Sequence, residues 1–437
     1  MTETPVSHLI IRLGIPTTIS MLITGIYNLA DTYFVGTLGE SPQAATGILF
    51  TLQSIIQAIA FMWGHGSGTF VAKCLADKDT KGASRYVSTA FFTGGALGLL
   101  MMTLGLIFLT PLLYALGSTD TILPYAKDYG MWVLLACPFM ICSLILNNNL
   151  RYEGKAFYSM IGLATGGILN IFGDWLLVYV LKMGVFGAGM ATAISQFISF
   201  CILLVLYFRM AQGNISPRHI SHDFADYFGI MKVGFPSLIR QGLNSISGGI
   251  LNNLTKQYED AAIAAMSVVN RFSSVVMFVG LGIGQGFQPV ASFNYQAKKY
   301  TRVKKGLIFT TVFGGVLVAL LATLGAIFAE PIVRMFQESP DVHAVAIPAL
   351  RFATVGLWFT PLAVPVNMLY QSIRRAGISS ILSLLRSGAV LIPTLLIAHA
   401  TAGLTGIQLA QPIADVITGL ISIPFIVYFM KTTPEDQ

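Results

Sequence analysis

The chain is poor in charge. Asp, Glu, Lys and Arg make up 10% of its 437 residues, against roughly 25% in soluble globular domains. A water-facing surface of ordinary composition is excluded, and a hydrophobic share of 54% points to an integral membrane protein. Cysteine is almost as scarce. Cys74, Cys137, Cys142 and Cys201 lie in, or at the inner ends of, apolar runs, so disulfides are not expected, and no metal-ligand spacing accompanies them. Hydrolase signatures are missing: there is no HExxH, no GxSxG and no pair of acids at a lipid interface. Only their separation decides whether Asp31 and Asp174 could act as an aspartyl dyad. Nothing in the sequence reads as a pore loop, which disfavours a channel. The opening "MTETPVSHLI" has no basic start and leads into a long apolar run, so the first span is expected to stay with the protein rather than be cleaved as a signal.

What is present is a series of long apolar runs with short polar breaks. A bilayer core needs about 20 apolar residues per helix. The runs predict an all-α fold of twelve transmembrane helices, at roughly 13–38, 46–72, 86–111, 122–147, 157–181, 185–208, 230–256, 262–292, 304–328, 345–370, 377–399 and 404–430. Pro16, Pro138, Pro236, Pro289, Pro365, Pro393 and Pro412 lie inside them, where neighbouring helices must re-satisfy the backbone. The net charge of +7 is unevenly spread. Basic residues crowd the tails and the even-to-odd connections, such as Lys73, Lys78, Lys81 and Arg85 after span 2 and Lys298, Lys299, Arg302, Lys304 and Lys305 after span 8. The opposite side holds only Lys127, Lys182, Lys256 and Arg334, with the acids Glu40, Asp120, Glu259, Asp260, Glu330, Glu338 and Asp341. This asymmetry predicts cytoplasmic N- and C-termini and explains the charge without a nucleic-acid partner.

Shifted by 220 residues, the chain matches itself. "LGIP" at Leu13 meets "VGFP" at Val233, "AAT" at Ala44 meets "AAM" at Ala264, and "GHG" at Gly64 meets "GQG" at Gly284. "GVFGAGMATAIS" from Gly184 meets "GLTGIQLAQPIAD" from Gly403 after a one-residue slip. Each half holds six spans, so both halves take the same orientation. They should form an N-terminal lobe at 1–212 and a C-terminal lobe at 230–437, joined by a cytoplasmic linker at 213–229 and related by a pseudo-twofold axis along the membrane normal. Two such lobes suit a carrier that rocks between inward and outward access.

The spans bury three carboxylates deeply: Asp31, Asp174 and Asp415. An acid at the centre of a membrane helix costs about 3 kcal/mol on the insertion scale and is functional by default, the alternative being an ion pair or hydrogen bond that holds two helices together. Asp31 and Asp174 lie seven residues before the outer ends of spans 1 and 5; Tyr129 and Thr192 lie seven after the outer starts of spans 4 and 6. At 1.5 Å per residue all four sit about 10 Å below the outer surface. Asn170 is one turn from Asp174 on the same face. At the repeat shift Asp31 falls on Leu251, Asn170 on Val390 and Asp174 on Thr394, so the fold does not itself require these groups. For Asp415, near Gln408 and Gln411, a helix-packing network serves as well as transport. Two nearby acids in low dielectric can share a proton; with amide and hydroxyl oxygens they can equally hold Na⁺. His65 in "WGHGSG" reads as a packing or capping residue ahead of a proton relay, since no acid shares its span. Arg240, Arg271, Arg351 and Arg386 read as snorkelling or hydrogen-bonding residues, with Arg386 also able to face a cavity. The 17 Met and 29 Phe would suit adaptable binding of varied apolar cations where they line a cavity.

Over essentially its whole length the chain resembles the multidrug and toxic compound extrusion (MATE) family, in its prokaryotic DinF-like branch. The resemblance is carried by "GIP" in span 1, "NLADTYFVGTLG" (Asn28–Gly39), "LRYEGKAFYSM" (Leu150–Met160), "LNIFGDWLLV" (Leu169–Val178), "GAGMATAISQ" (Gly187–Gln196), "GIGQGFQPVASFNYQAKKYTRV" (Gly282–Val303) and "QSIRRAG" (Gln371–Gly377). It implies a two-lobe antiporter of the prokaryotic cytoplasmic membrane, acting as a monomer and exporting small organic, often cationic and amphipathic, compounds in exchange for H⁺ or Na⁺ without a cofactor. It further implies that Asp31 is the principal coupling carboxylate. Asn170, Asp174 and Thr192 would complete the ion site, with Tyr129 in its hydrogen-bond network. Pro16 would mark a bend of span 1 and Asn147 would line the cavity. Another branch uses acids in spans 7 and 10; here those spans offer only Asn244, Asn252, Asn253 and Asn367. The competing reading within the same superfamily is a flippase for lipid-linked precursors, which would need a cationic cavity.

Overall fold

The computed structural model describes every residue except 256, 259, 337, 338, 435 and 437. The outer-loop charges Lys256, Glu259 and Glu338 therefore lie outside the described residues, as does the side chain of Asp260. Among the described residues there is no strand.

The first half of the chain forms α1 (Val6–Gly36), α2 (Glu40–Ala76), α3 (Thr80–Ile107), a short α4 (Leu109–Ala115), α5 (Leu123–Tyr152), α6 (Ala156–Asp174) with a π turn over Trp175–Val180, and α7 (Gly184–Met210). The second half forms α8 (Phe224–Thr255), α9 (Asp260–Gln296), α10 (Tyr300–Ile327), a short α11 (Ala329–Phe336), α12 (Pro340–Leu357), α13 (Thr360–Ser372), α14 (Ala376–Leu384) with a π turn over Leu385–Ala389, and α15 (Leu391–Thr432). Among the described residues nine helices are long and apolar enough to cross a bilayer, or ten when α12 and α13, bent by 46°, count as one span. Gly403, at φ 58°, breaks α15 into two. With that break and the more polar α8, the spans number twelve.

The internal repeat persists in backbone detail. The ends of α2 and α9, and of α3 and α10, are offset by the same 220 residues as the sequence motifs. Left-handed backbone recurs at Lys78 (φ 61°) and Lys298 (φ 56°), and at Gly154 (φ 82°) and Arg374 (φ 62°). Side chains follow: Asn147 donates to Ser159 O at 3.0 Å, and Asn367 to Ser379 O at 2.8 Å.

The chain divides into two compact units, Ile19–Gln241 and Met1–Thr18 with Gly242–Gln437. Both boundaries fall inside helices, α1 and α8. The core of the first unit is built where α2 meets α5, around Leu49, Ile56, Trp63, Ile141 and Ile145. In the second, Met266 and Val269 of α9 pack with Leu350, Leu395 and Ile407. All four cysteines are free thiols.

Candidate ion-coupling site

Within the unit Ile19–Gln241, four helices deliver polar side chains to one buried cluster. Tyr129 of α5 donates its phenol hydrogen to Asp31 Oδ2 of α1 at 2.7 Å, and its oxygen lies 3.4 Å from Thr192 Oγ1 of α7. Asn170 of α6 donates to the same Thr192 oxygen at 3.0 Å. Asp31, Tyr129, Asn170 and Thr192 are thus linked in one chain of hydrogen bonds. Asp174, the last residue of α6, is fully buried at 0% exposure and interacts electrostatically with Asp31 and Tyr129. A π turn follows it directly, a local rewinding of the kind that recurs at functional sites.

Small residues let these helices close in. A Cβ on Gly189 of α7 would stand 2.8 Å from the Tyr129 ring, and one on Gly173 2.9 Å from the Ala191 side chain. A Cβ on Gly167 would stand 2.6 Å from Ile23 of α1. Each glycine holds a helix close enough for short polar side chains to meet.

The cluster leaves a consistent set of atoms over. Asp31 Oδ1, both oxygens of Asp174 and Asn170 Oδ1 are buried without a hydrogen-bond partner. All four are acceptors. Buried polar atoms are ordinarily satisfied, and unsatisfied ones call for a reason. Two carboxylates, an amide oxygen and a hydroxyl make a hard oxygen set, suited to a proton or a small monovalent cation. No group of three or more His, Cys, Asp or Glu side chains suited to a metal occurs among the described residues.

Tyr27 and Gln196 also belong to this neighbourhood. Tyr27 sits one turn before Asp31 on α1, is 9% exposed, interacts with Asp31 and hydrogen-bonds the Gln196 side chain. Gln196 is one turn after Thr192. The i, i+4 rule that pairs Asn170 with Asp174 would have found both.

The other singled-out residues lie elsewhere. Pro16 is buried inside α1, in the segment that packs with the second unit. Asn147 is 5% exposed, and its amide is engaged by the Ser159 carbonyl of α6. Asp415 forms an ion pair with Arg386 at 3.5 Å within the second unit. His65 packs edge-on against Tyr152, with its Nε2 3.3 Å from Arg151 Nη2.

The sequence profile of the MatE family matches residues 16–176 and again residues 236–397, one match in each half. The chain belongs to the MatE family. MATE proteins are transporters, so it is an efflux transporter and not an enzyme, and an aspartyl dyad is no longer in question. The MATE chain is 26% identical to the multidrug export protein MepA of Staphylococcus haemolyticus (strain JCSC1435), over 98% of its own length and 95% of that protein's. It is also 26% identical to MepA of Staphylococcus aureus (strain MSSA476), with the same coverage. A crystal structure of MATE in complex with MaL6 superposes with a TM-score of 0.93 at 24% identity, covering 99% of this chain and 98% of that one. A MOP superfamily transporter from Pyrococcus furiosus, described as having a binding pocket of reverse polarity, superposes with a TM-score of 0.90 at 23% identity, with the same coverage. These likenesses establish the twelve-helix, two-lobe MATE fold.

Proposed function

We propose that this MATE protein is a multidrug antiporter that exports organic, cationic or amphipathic compounds in exchange for H⁺ or Na⁺, its two six-helix lobes rocking between inward and outward access. The observation that carries the reading is the buried cluster of Asp31, Tyr129, Thr192, Asn170 and Asp174, with its unpartnered acceptor oxygens. Two carboxylates that feel each other in a low dielectric are stabilised by a proton or a cation between them. Loading the site therefore changes the energy of the helices that supply it, and a ligand that favours one state over the other is what drives a cycle. Asp31 is the principal switch. Asp174, Asn170 and Thr192 complete the oxygen set, and Tyr129 holds the Asp31 carboxylate. The export of drugs by MepA relatives over nearly the whole chain supports the substrate class. Arg386 is neutralised by Asp415, so it offers no free cation for the phosphates of a lipid-linked precursor. The protein acts as a monomer in a prokaryotic cytoplasmic membrane with both termini inside, as its basic loops support.

The test is transport in proteoliposomes under separately imposed pH and Na⁺ gradients, comparing the native protein with Asp31→Asn. One gradient drives drug efflux in the native protein and fails to drive it in the variant. Ion-driven efflux that survives Asp31→Asn would sink the assignment.

A further inference from the structure

We propose that the hinge between the two moving lobes lies inside α8, between Pro236 and Gly242, and not in the polar linker, so that residues 211–241 travel with the first lobe. The proposal rests on the alternating-access reading above and concerns where its moving bodies divide.

The linker is fastened down. The Glu153 carboxylate accepts from Gln212 N at 2.6 Å, Gly213 N at 3.4 Å and the Tyr207 hydroxyl at 3.1 Å. Three hydroxyls in a row on α3 continue the strap: Ser84 accepts from Asn214 N at 2.9 Å, Ser88 from Ser216 N at 3.1 Å and Thr89 from Ser221 N at 2.9 Å. Asp226, in the first turn of α8, then joins Arg85 at 3.2 Å, Tyr86 at 3.0 Å and Ser221 at 2.5 Å. A flexing tether leaves its backbone N–H groups to water. Here they are engaged by side chains of the first half of the chain.

The beginning of α8 is docked as firmly. A Cβ on Gly66 of α2 would run into the Ile230 carbonyl oxygen, and one on Gly234 into the Met62 carbonyl. Backbone meets backbone at both points, and Ile230 is 0% exposed. Beyond Gly242 the partners change. Ser247 donates to Ser387 O at 2.6 Å, and a Cβ on Gly388 would stand 2.8 Å from Leu243. Between these two docks lie the helix's weak points. Pro236 has no N–H for the carbonyl one turn back, and prolines are where helices kink. A Cβ on Gly242 would meet nothing within 4 Å.

The repeat supplies an independent instance. The tail before α1 is held in the second unit: Arg302 donates to the Met1 carbonyl at 3.2 Å and Lys299 to that of Thr2 at 3.1 Å. A Cβ on Gly286 of α9 would stand 2.5 Å from Gly14, and the unit boundary follows Pro16 at Thr18. Gly14 and Gly234, Gly66 and Gly286, and Pro16 and Pro236 are related by the repeat offset of 220. Each half thus lends the start of its first helix to the other.

The experiment uses the full-length protein with Cys74, Cys137, Cys142 and Cys201 replaced by Ser, after its efflux has been matched to the native chain. Thr89→Cys with Ser221→Cys is oxidised to lock the linker onto α3. Spin labels placed pairwise at Lys81 and Phe228, and at Phe228 and Lys305, report distances with and without an imposed ion load. The locked protein should keep its efflux within about twofold, the Lys81–Phe228 distance should stay constant and the Phe228–Lys305 distance should shift. Loss of efflux by about tenfold or more on oxidation, restored by reduction, overturns the proposal. So does a Lys81–Phe228 distance that shifts as much as the other. If no drug is exported at all, the substrate reading fails, while the label distances still decide the hinge.

Discussion

Tyr129 of α5 donates its phenol hydrogen to Oδ2 of Asp31 on α1 at 2.7 Å, between residues 98 apart in sequence. The bond fixes the carboxylate of α1 against α5 and leaves Oδ1 buried without a hydrogen-bond partner. Tyr129→Phe keeps the ring, and so keeps the packing against Gly189, but leaves Asp31 without that donor. Efflux should fall about tenfold, the scale of one hydrogen bond to a charged group at 1.5–3 kcal/mol. Thr192→Ala removes the next hydroxyl along the same chain. The double variant should lose less than the two single losses combined, because groups in one network are not additive. Initial efflux rates in proteoliposomes for the two singles and the double close the cycle. Strict additivity would show that the two hydroxyls act apart.

The cytoplasmic turn after α5 gives a pH prediction independent of transport. Burial pushes the Glu153 carboxyl above its ordinary 4.5, and the N–H groups of Gln212 and Gly213, with Lys155 and Tyr207, pull it part of the way back. A carboxyl whose folded value is raised binds its proton more tightly in the folded state. Its contribution to stability is present below 4.5 and is lost as pH rises through the raised folded value. Melting temperatures of the detergent-solubilised protein should therefore fall more on raising pH from 4.5 towards neutrality than those of Glu153→Gln. At the acid end, where Glu153 is itself neutral, the two proteins should melt at similar temperatures. Parallel slopes for the two proteins would remove Glu153 from the account.

Asn147 and Asn367 make the same prediction in the two repeats. Each amide ties a helix to the one that follows it, through Ser159 O at 3.0 Å and Ser379 O at 2.8 Å. Asn367 adds Ser383 Oγ at 2.8 Å. Substituting either by Ala leaves a buried carbonyl short of a donor, at a cost of about 1–3 kcal/mol. Both variants should melt lower, Asn367→Ala the more so, with the range of drugs exported unchanged. A role for Asn147 in lining the substrate cavity predicts the reverse for Asn147→Ala: native melting and an altered drug profile.

Much of this was legible in the sequence because a bilayer imposes few physical rules. Apolar length placed the twelve spans, and the motif offset of 220 is the spacing at which left-handed backbone recurs, at Lys78 and Lys298. Matched depth and the i, i+4 rule assembled Asp31, Tyr129, Asn170, Asp174 and Thr192, which the fold buries in one unit. Tyr27 and Gln196 escaped notice because an uncharged phenol or amide in an apolar run does not stand out as an isolated acid does. The π turn after Asp174 has no residue signature. The division of α1 and α8 between units depends on which distant helix Gly14 and Gly234 meet, and local periodicity carries no information about distant partners. Asp415 stayed open for the same reason: its partner Arg386 is on another helix.

That ion pair yields the last prediction. Arg386 Nε stands 3.5 Å from Asp415 Oδ1, with side chains 17% and 5% exposed, and the guanidinium also reaches Met277 Sδ at 3.6 Å. Two charges so far from water have lost most of their hydration, and their mutual attraction returns only part of that loss. Removing one partner abandons the other, at about 3–5 kcal/mol, whereas replacing both with apolar residues of similar volume is often neutral. Arg386→Met and Asp415→Asn should each lower the melting temperature in detergent, and the double variant Arg386→Met with Asp415→Leu should recover it. If the pair serves packing alone, the recovered double variant also exports drug under the same driving ion as the native protein. A double variant that melts like the native chain but no longer couples to the ion gradient would instead place Asp415 in the transport chemistry beside Asp31.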